Sequence, residues 1–151
     1  RRVSFLAALA LLAVSDLFAA STQITLQASG QQISSGNGSC ISVPSILRAD
    51  VTVEITAASG TTPALTVWLE ACKDQSGSST HDLVANRTLQ STTSATANTA
   101  ATNVRNIVTT AAATGTYTAQ YDVLATAWVR PRWVISGTTP QFTFAVYLDG
   151  K

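Results

Sequence analysis

The chain holds one histidine, His81, in the stretch Ser-Ser-Thr-His-Asp-Leu-Val-Ala, with an acid directly after it. Ser, His and Asp are the residue types of a nucleophilic hydrolase, in which the imidazole takes the serine proton and the acid orients the imidazole. Neighbours on a strand point to opposite faces, so Asp82 does not orient His81 in an extended segment. No Gly-x-Ser-x-Gly elbow occurs anywhere in the chain. A solvent-exposed loop histidine is the expectation.

The carboxylates are Asp16, Asp50, Glu54, Glu70, Asp74, Asp82, Asp122 and Asp149. A glycosidase needs two of them facing each other across a cleft, and no spacing singles out a pair. Glu70, Asp74 and Asp82 flank one loop, yet their spacing fits no calcium loop. Cys40 and Cys72 fit neither a zinc pattern nor Cys-x-x-Cys. They can pair if their strands are neighbours, but half-buried thiols in a reducing cell are the expectation. No phosphate loop or dinucleotide fingerprint appears. The expectation is no catalytic residue, no metal, no cofactor and no enzyme activity.

Three tryptophans, Trp68, Trp128 and Trp133, raise the question of sugar stacking. Core packing is the usual fate of strand tryptophans and is expected here. On an extended segment Arg130 and Arg132 share a face with Trp128 and oppose Trp133. Asn37-Gly38-Ser39 and Asn86-Arg87-Thr88 fit the glycosylation pattern, which is common by chance.

These residues sit in a chain of 151, enough for one domain with a hydrophobic core. Apolar residues make up 46% and charged ones only 11%, with Thr, Ser and Ala filling the difference. Such a surface suits a sheet protein covered by neighbours or built to be inert. The net charge of +1 gives no pull toward nucleic acid.

Residues 1–21 form an apolar lead, Arg-Arg followed by an unbroken apolar or small run from Val3 to Val14. This approaches an export signal but has a poor cleavage site at Phe18-Ala19-Ala20, and it is short for a membrane span. The expectation is a retained arm or short helix that needs cover on several sides. Its contacts with a shell or a neighbouring subunit are assigned to Phe5, Leu6, Leu9, Leu11, Leu12, Leu17 and Phe18.

From residue 22 to the end the pattern changes to alternation, in 22–28, 51–57, 64–71 and 116–125. Gly, Ser, Asn and Pro turns separate eight or nine short strands, the signature of an antiparallel β-sandwich or jelly roll. A Thr/Ala-rich excursion at about 90–115 interrupts it, with a strand near Val104–Val108. Pro131 falls inside a strand, which predicts an edge or a bulge there. Ser-Gly-Thr-Thr-Pro occurs twice, at 59–63 and 136–140, each time between two apolar β-branched runs. Each copy reads as the tight loop of a hairpin, a structural corner with no chemistry of its own. At the constant offset of 77, Leu65 matches Phe142, Val67 matches Phe144 and Leu69 matches Val146.

Three stretches resemble a group of small tailed-phage virion proteins: TLQASGQQISSGNGSCISV, VTVEITAASGTTPALTVWLEACKDQSG and WVRPRWVISGTTPQFTFAVYL. In the last, Val129, Arg130, Trp133, Ser136, Gly137, Thr138, Pro140, Phe142, Thr143 and Phe144 carry the match. The resemblance spans most of residues 22–148, and the long apolar lead and the 90–115 excursion depart from it. It implies a β-sandwich head decoration or cement protein, often trimeric, on the capsid surface of the virion. The implied partners are the major capsid protein and copies of the same chain, with no nucleic acid and no membrane in the mature particle. Two rival readings remain: a secreted or surface carbohydrate-binding module, and a tail or neck component of the virion. The carbohydrate reading predicts a Cys40–Cys72 bridge and removal of the lead.

Overall fold

A computed structural model describes residues 22–43, 48–83, 85–92, 101–121 and 128–150. The lead at 1–21, with all seven of its assigned contact residues, lies outside the described residues. The fold is all-β and antiparallel. Its strands are β1 (Thr22–Gln32), β2 (Gly36–Asn37), β3 (Ile41–Ser42), β4 (Ala49–Cys72), β5 (Thr80–Asp82), β6 (Ala85–Thr92), β7 (Ala101–Val104), β8 (Asn106–Ala111), β9 (Gly115–Tyr121) and β10 (Trp128–Gly150). Strands β7 and β8 fall within the Thr/Ala-rich excursion.

Two of these strands are far longer than the rest and carry the fold. β4 and β10 pair antiparallel along nearly their whole length, from Trp128 opposite Cys72 to Gly150 opposite Ala49. Each contains one Ser-Gly-Thr-Thr-Pro motif at its middle, and the two motifs lie side by side, with Ser136 opposite Ala64 and Thr138 opposite Thr61. The motifs are therefore not hairpin loops. The two halves of β4 do not bond to each other; each bonds to a half of β10.

The motifs are nevertheless corners. Trp133 and Phe144 belong to the same strand, eleven residues apart, a span of about 36 Å if extended. Their rings meet edge to face at 5.5 Å. β10 must fold back between them, and β4 folds with it, so that side chains rather than backbone join the two halves. Strands that bend from one layer into another are a known way of closing a sandwich. In one layer the order is β1, the second half of β10, the first half of β4, β9, β6, β7. In the other, β2 and β3 flank the first half of β10, which pairs with the second half of β4, flanked by β5 and β8.

The bend has a backbone cause. Gly60 and Gly137 adopt φ of +114° and +122°, and Thr62 and Thr139 adopt 48° and 47°. A β-carbon on Gly60 would lie 2.7 Å from the Thr139 carbonyl oxygen, and one on Gly137 would lie 2.6 Å from that of Thr62. Each glycine thus makes room for the other motif's Thr-Thr-Pro. Glycine alone adopts such φ values without steric cost.

After each corner the alternating apolar residues turn inward. Leu65, Val67 and Leu69 on β4 and Phe142, Phe144 and Val146 on β10 are all fully buried, as their matched spacing predicts. Val51, Val53, Ile55, Val108, Tyr117, Val129, Trp133 and Leu148 complete one shared core. Burial pushes the Tyr117 and Tyr121 phenols above their ordinary pKa, because the phenolate would be desolvated.

Pro131 lies opposite Leu69 on one side and faces β2 and β3 on the other. Its carbonyl accepts from the Gly38 N–H, so its missing donor points toward the irregular segment between those two short strands. β10 is therefore neither an edge strand nor bulged at Pro131, contrary to the expectation from the sequence; the missing donor instead meets a break in the neighbouring strand.

Gly60→Ala and Gly137→Ala are each expected to cost about 2 kcal/mol, from left-handed backbone strain and the clash with the partner motif. Gly30→Ala, whose added β-carbon meets nothing closer than 3.8 Å, should stay within about 0.5 kcal/mol of wild type. Urea unfolding of the three variants measures this.

Candidate functional site

The outer face of the second layer gathers most of the chemistry-bearing side chains of the described residues. Alternation places Trp128, Arg130 and Arg132 on the outside of β10 and buries Val129, Pro131 and Trp133, as the sequence pattern required. The register then sets Arg130 opposite Glu70 and Arg132 opposite Trp68. On the next strand Asp82 lies opposite Glu70. Arg105 enters from the start of β8, where Asn106 pairs with Trp68.

Glu70 is the buried acid of this face, at 4% exposure. Its carboxylate takes the Arg130 Nε at 2.8 Å and the Arg132 Nη1 at 3.6 Å. Asp82 accepts from the Trp68 indole N–H at 2.9 Å and from Arg105 at 3.1 Å. The Arg105 guanidinium covers the Trp68 ring at 4.5 Å, with Arg132 at 5.8 Å. Trp68 is thus buried on the outer face beneath two cations. Cation–π contact of this kind contributes about 0.5–2 kcal/mol.

In this cluster the charges bind one another. Glu70 and Asp82 are engaged by arginines, and Asp74 turns back on its own loop. The Ser76 hydroxyl and backbone N–H both donate to the Asp74 carboxylate, and the hydroxyl bond is the main cause holding its pKa below the ordinary value. Glu70, Asp74 and Asp82, considered above for calcium, each have separate partners and do not converge. His81 lies opposite Ala71 and is exposed on β5, while Asp82 faces Trp68 and Arg105. The histidine sits on a short strand rather than in the expected loop.

Tryptophan platforms for a sugar are missing at two of the three positions. Trp133 is in the core, its N–H donating to the Ser34 carbonyl at 3.1 Å. Trp68 is roofed by arginines. Trp128 is half-buried.

Cys40 and Cys72 are joined by a disulfide, with Cα atoms 6.2 Å apart. This corrects the expectation of reduced thiols. Cys40 immediately precedes β3 on one side of β10 and Cys72 ends β4 on the other, so the bridge crosses β10 near its start. Beside the bridge lies an open polar cleft of about 280 Å³, lined by Asn37, Ser39, Gln75, Ser76 and Arg130. Gly77 packs against Arg130 and the bridge: a β-carbon there would stand 2.9 Å from Arg130 Nη1 and 3.1 Å from Cys40 Sγ.

The outer face of the first layer is different in kind. Thr52 and Thr118 hydroxyls meet at 3.4 Å, Gln120 donates to Asp50 at 3.0 Å and Gln23 donates to Asp149 at 3.2 Å. Hydroxyls, amides and a few acids line it.

No family model and no curated protein matches this sequence. Among solved structures, the crystal structure of SPBc2 prophage-derived protein YomS is similar at a TM-score of 0.41. The identity is 14%, over 86% of this chain and 93% of that one.

The ion cluster was not legible in the sequence, where Glu70, Asp82, Arg105 and Arg130 lie scattered. The one available signal was the shared face of Arg130 and Arg132. Glu70→Ala is expected to cost about 3 kcal/mol, because it strands Arg130, whose side chain is only 13% exposed. Arg105→Ala, at a position whose side chain is 47% exposed, should cost under about 1 kcal/mol. Thermal and urea unfolding of the two variants provide the comparison.

Reduction of the Cys40–Cys72 bridge, which closes a separation of 32 residues, should lower stability by about 3 kcal/mol. Unfolding with and without a phosphine reductant, beside a Cys40→Ser/Cys72→Ser variant, checks it.

Proposed function

We propose that this chain is a structural virion protein of the capsid decoration or cement type, which binds the outside of a phage head and clamps shell subunits. It acts by burial and has no turnover. Apolar area removed from water contributes about 25 cal/mol per Å², and repeated contacts on a symmetric shell multiply the effect. The lead residues Phe5, Leu6, Leu9, Leu11, Leu12, Leu17 and Phe18 supply the apolar contact in this reading.

The observation that carries it is where the matching residues fall. Trp133, Gly137, Phe142 and Phe144 bear the resemblance to phage virion proteins, and they build the folded-back strand and its core. The resemblance is therefore one of frame. An outer sheet of hydroxyls and amides and a set of mutually paired charges suit a protein whose task is to fit against others. Disulfides occur on virion surfaces as well as in secreted proteins, so the bridge agrees with a particle that leaves the cell.

One observation favours the second reading. A carbohydrate-binding module of secreted type calls for the Cys40–Cys72 bridge. Burial of Trp68 and Trp133 counts against it, since it removes two of the three tryptophans as stacking platforms.

Chymotryptic mapping of material purified from its source separates the two. Peptides from residues 3–18 recovered in a sedimenting particle fraction are the expected result. Protein confined to the soluble extracellular fraction and lacking those peptides, with tryptophan fluorescence that shifts on adding sugar, would overturn the virion reading.

A further inference from the structure

The polar cleft beside the Cys40–Cys72 bridge has no part in the virion reading. One wall runs from Asn37 at the end of β2 through Gly38 and Ser39 to Cys40, just before β3. Gln75 and Ser76, in the loop after β4, form the other, and Arg130 of β10 completes the lining.

Both walls are held by bonds within the chain. The bridge ties Cys40 to Cys72 at the foot of the loop. The Gly38 N–H donates to the Pro131 carbonyl at 2.9 Å, and the Lys73 N–H donates to the Ser79 carbonyl at 2.9 Å across the loop. A site ordered in advance loses little binding free energy to ordering itself.

The lining is positive. Arg130 lines the cleft and, among the described residues, no acid does. Glu70 takes the Arg130 Nε at 2.8 Å and is shared with Arg132, while Arg105 has Asp82. Three guanidiniums thus stand against two carboxylates, and one positive charge is in excess. Arginine carries N–H donors on both Nη atoms besides Nε. Among the described residues, the bond from Nε to Glu70 is the hydrogen bond of the Arg130 side chain.

The neutral walls add acceptors. The Asn37 Nδ2 donates to the Gly38 carbonyl at 3.1 Å, which leaves the amide oxygen to accept. The Ser76 hydroxyl donates to Asp74 and accepts from the Ser78 N–H at 3.2 Å, so what it still offers is a lone pair. A bare anion is repelled by such acceptors. A ligand with hydroxyls beside its carboxylate satisfies them.

We infer that this cleft binds a hydroxylated carboxylate, the chemistry of an acidic sugar such as a uronic acid. The carboxylate lies on the Arg130 Nη groups, and hydroxyls donate to Asn37 and Ser76. Liquid water takes ~30 Å³ per molecule, so a cleft of about 280 Å³ holds several waters, the room that one sugar ring displaces. Recognition by charge and hydrogen bonds needs no tryptophan platform. The inference rests on the cleft alone and stands whether or not the virion reading does.

Isothermal titration calorimetry of the full chain at low ionic strength tests it, with amide NMR shifts to locate the ligand. D-Glucuronate should bind with a Kd on the order of millimolar, and more weakly as salt is added. The amides of Gly38, Ser39, Gln75 and Gly77 should shift. D-Glucose and acetate should each bind about tenfold more weakly or worse, since one lacks the charge and the other the hydroxyls. Methyl glucuronide separates the two sources: equal affinity points to a residue of a glycan, weaker affinity to the free acid. Arg130→Gln should abolish binding, but it also strands Glu70. Gln75→Glu, at an exposed position, avoids this. It should weaken glucuronate about tenfold without lowering the melting temperature, because the new carboxylate occupies Arg130 in place of the ligand. Glucuronate giving no heat, glucose or acetate binding as well as glucuronate, amide shifts away from the cleft, or Gln75→Glu binding like wild type would each overturn the inference. None of these outcomes bears on the particle fractionation that tests the virion reading.

Discussion

Everything else in this fold depends on two backbone corners that fit into each other. Gly60 is pressed against Thr138, Thr139 and Pro140, and Gly137 against Thr61, Thr62 and Pro63. Neither long strand can bend without the other, because they remain paired through the bend. The reciprocal contact explains why one small chain carries the same five residues twice. A corner in β4 alone would break its ladder with β10 at that point. Two like corners side by side keep the strands partnered through Thr138 and Thr61, with a register shift on either side, and turn both from one layer into the other.

That contact also marks how far the sequence could be read. Alternation located the strand segments and the buried residues after each corner, since period-2 patterning depends only on which face meets the core. Leu65, Val67 and Leu69 proved equivalent to Phe142, Phe144 and Val146, as the offset of 77 indicated. A hairpin and a folded-back strand share the same local pattern, however: apolar run, Gly-Thr-Thr-Pro, apolar run. They differ in where the backbone bonds go, which is a property of a second strand seventy-seven residues away. Pro131 shows the same limit. Its type required a missing partner, but only the pairing reveals that the gap lies between β2 and β3.

The candidate site was less legible because it is made by register. Alternation put Arg130 and Arg132 on one face and stopped there. What they meet is decided by the pairing of β10 with β4 and of β4 with β5, which sets Glu70 between two arginines and Asp82 under Trp68. A one-residue slip would send Glu70 into the core. The cluster therefore reports the register as much as it stabilises the face. It also removes from further chemistry two of the acids that a search by residue type would nominate.

The disulfide belongs to the same argument. β2 and β3 contribute two residues each, so the edge they form has few ladder bonds to hold it against β10. The segment between them faces Pro131, which offers no donor. The bridge from Cys40 to Cys72 spans this weak place and ties it to β4, the strand on the far side of β10. The cross-link therefore falls where backbone bonding is poorest, and it holds the two short strands against β10 where their own ladder bonds are too few to do so.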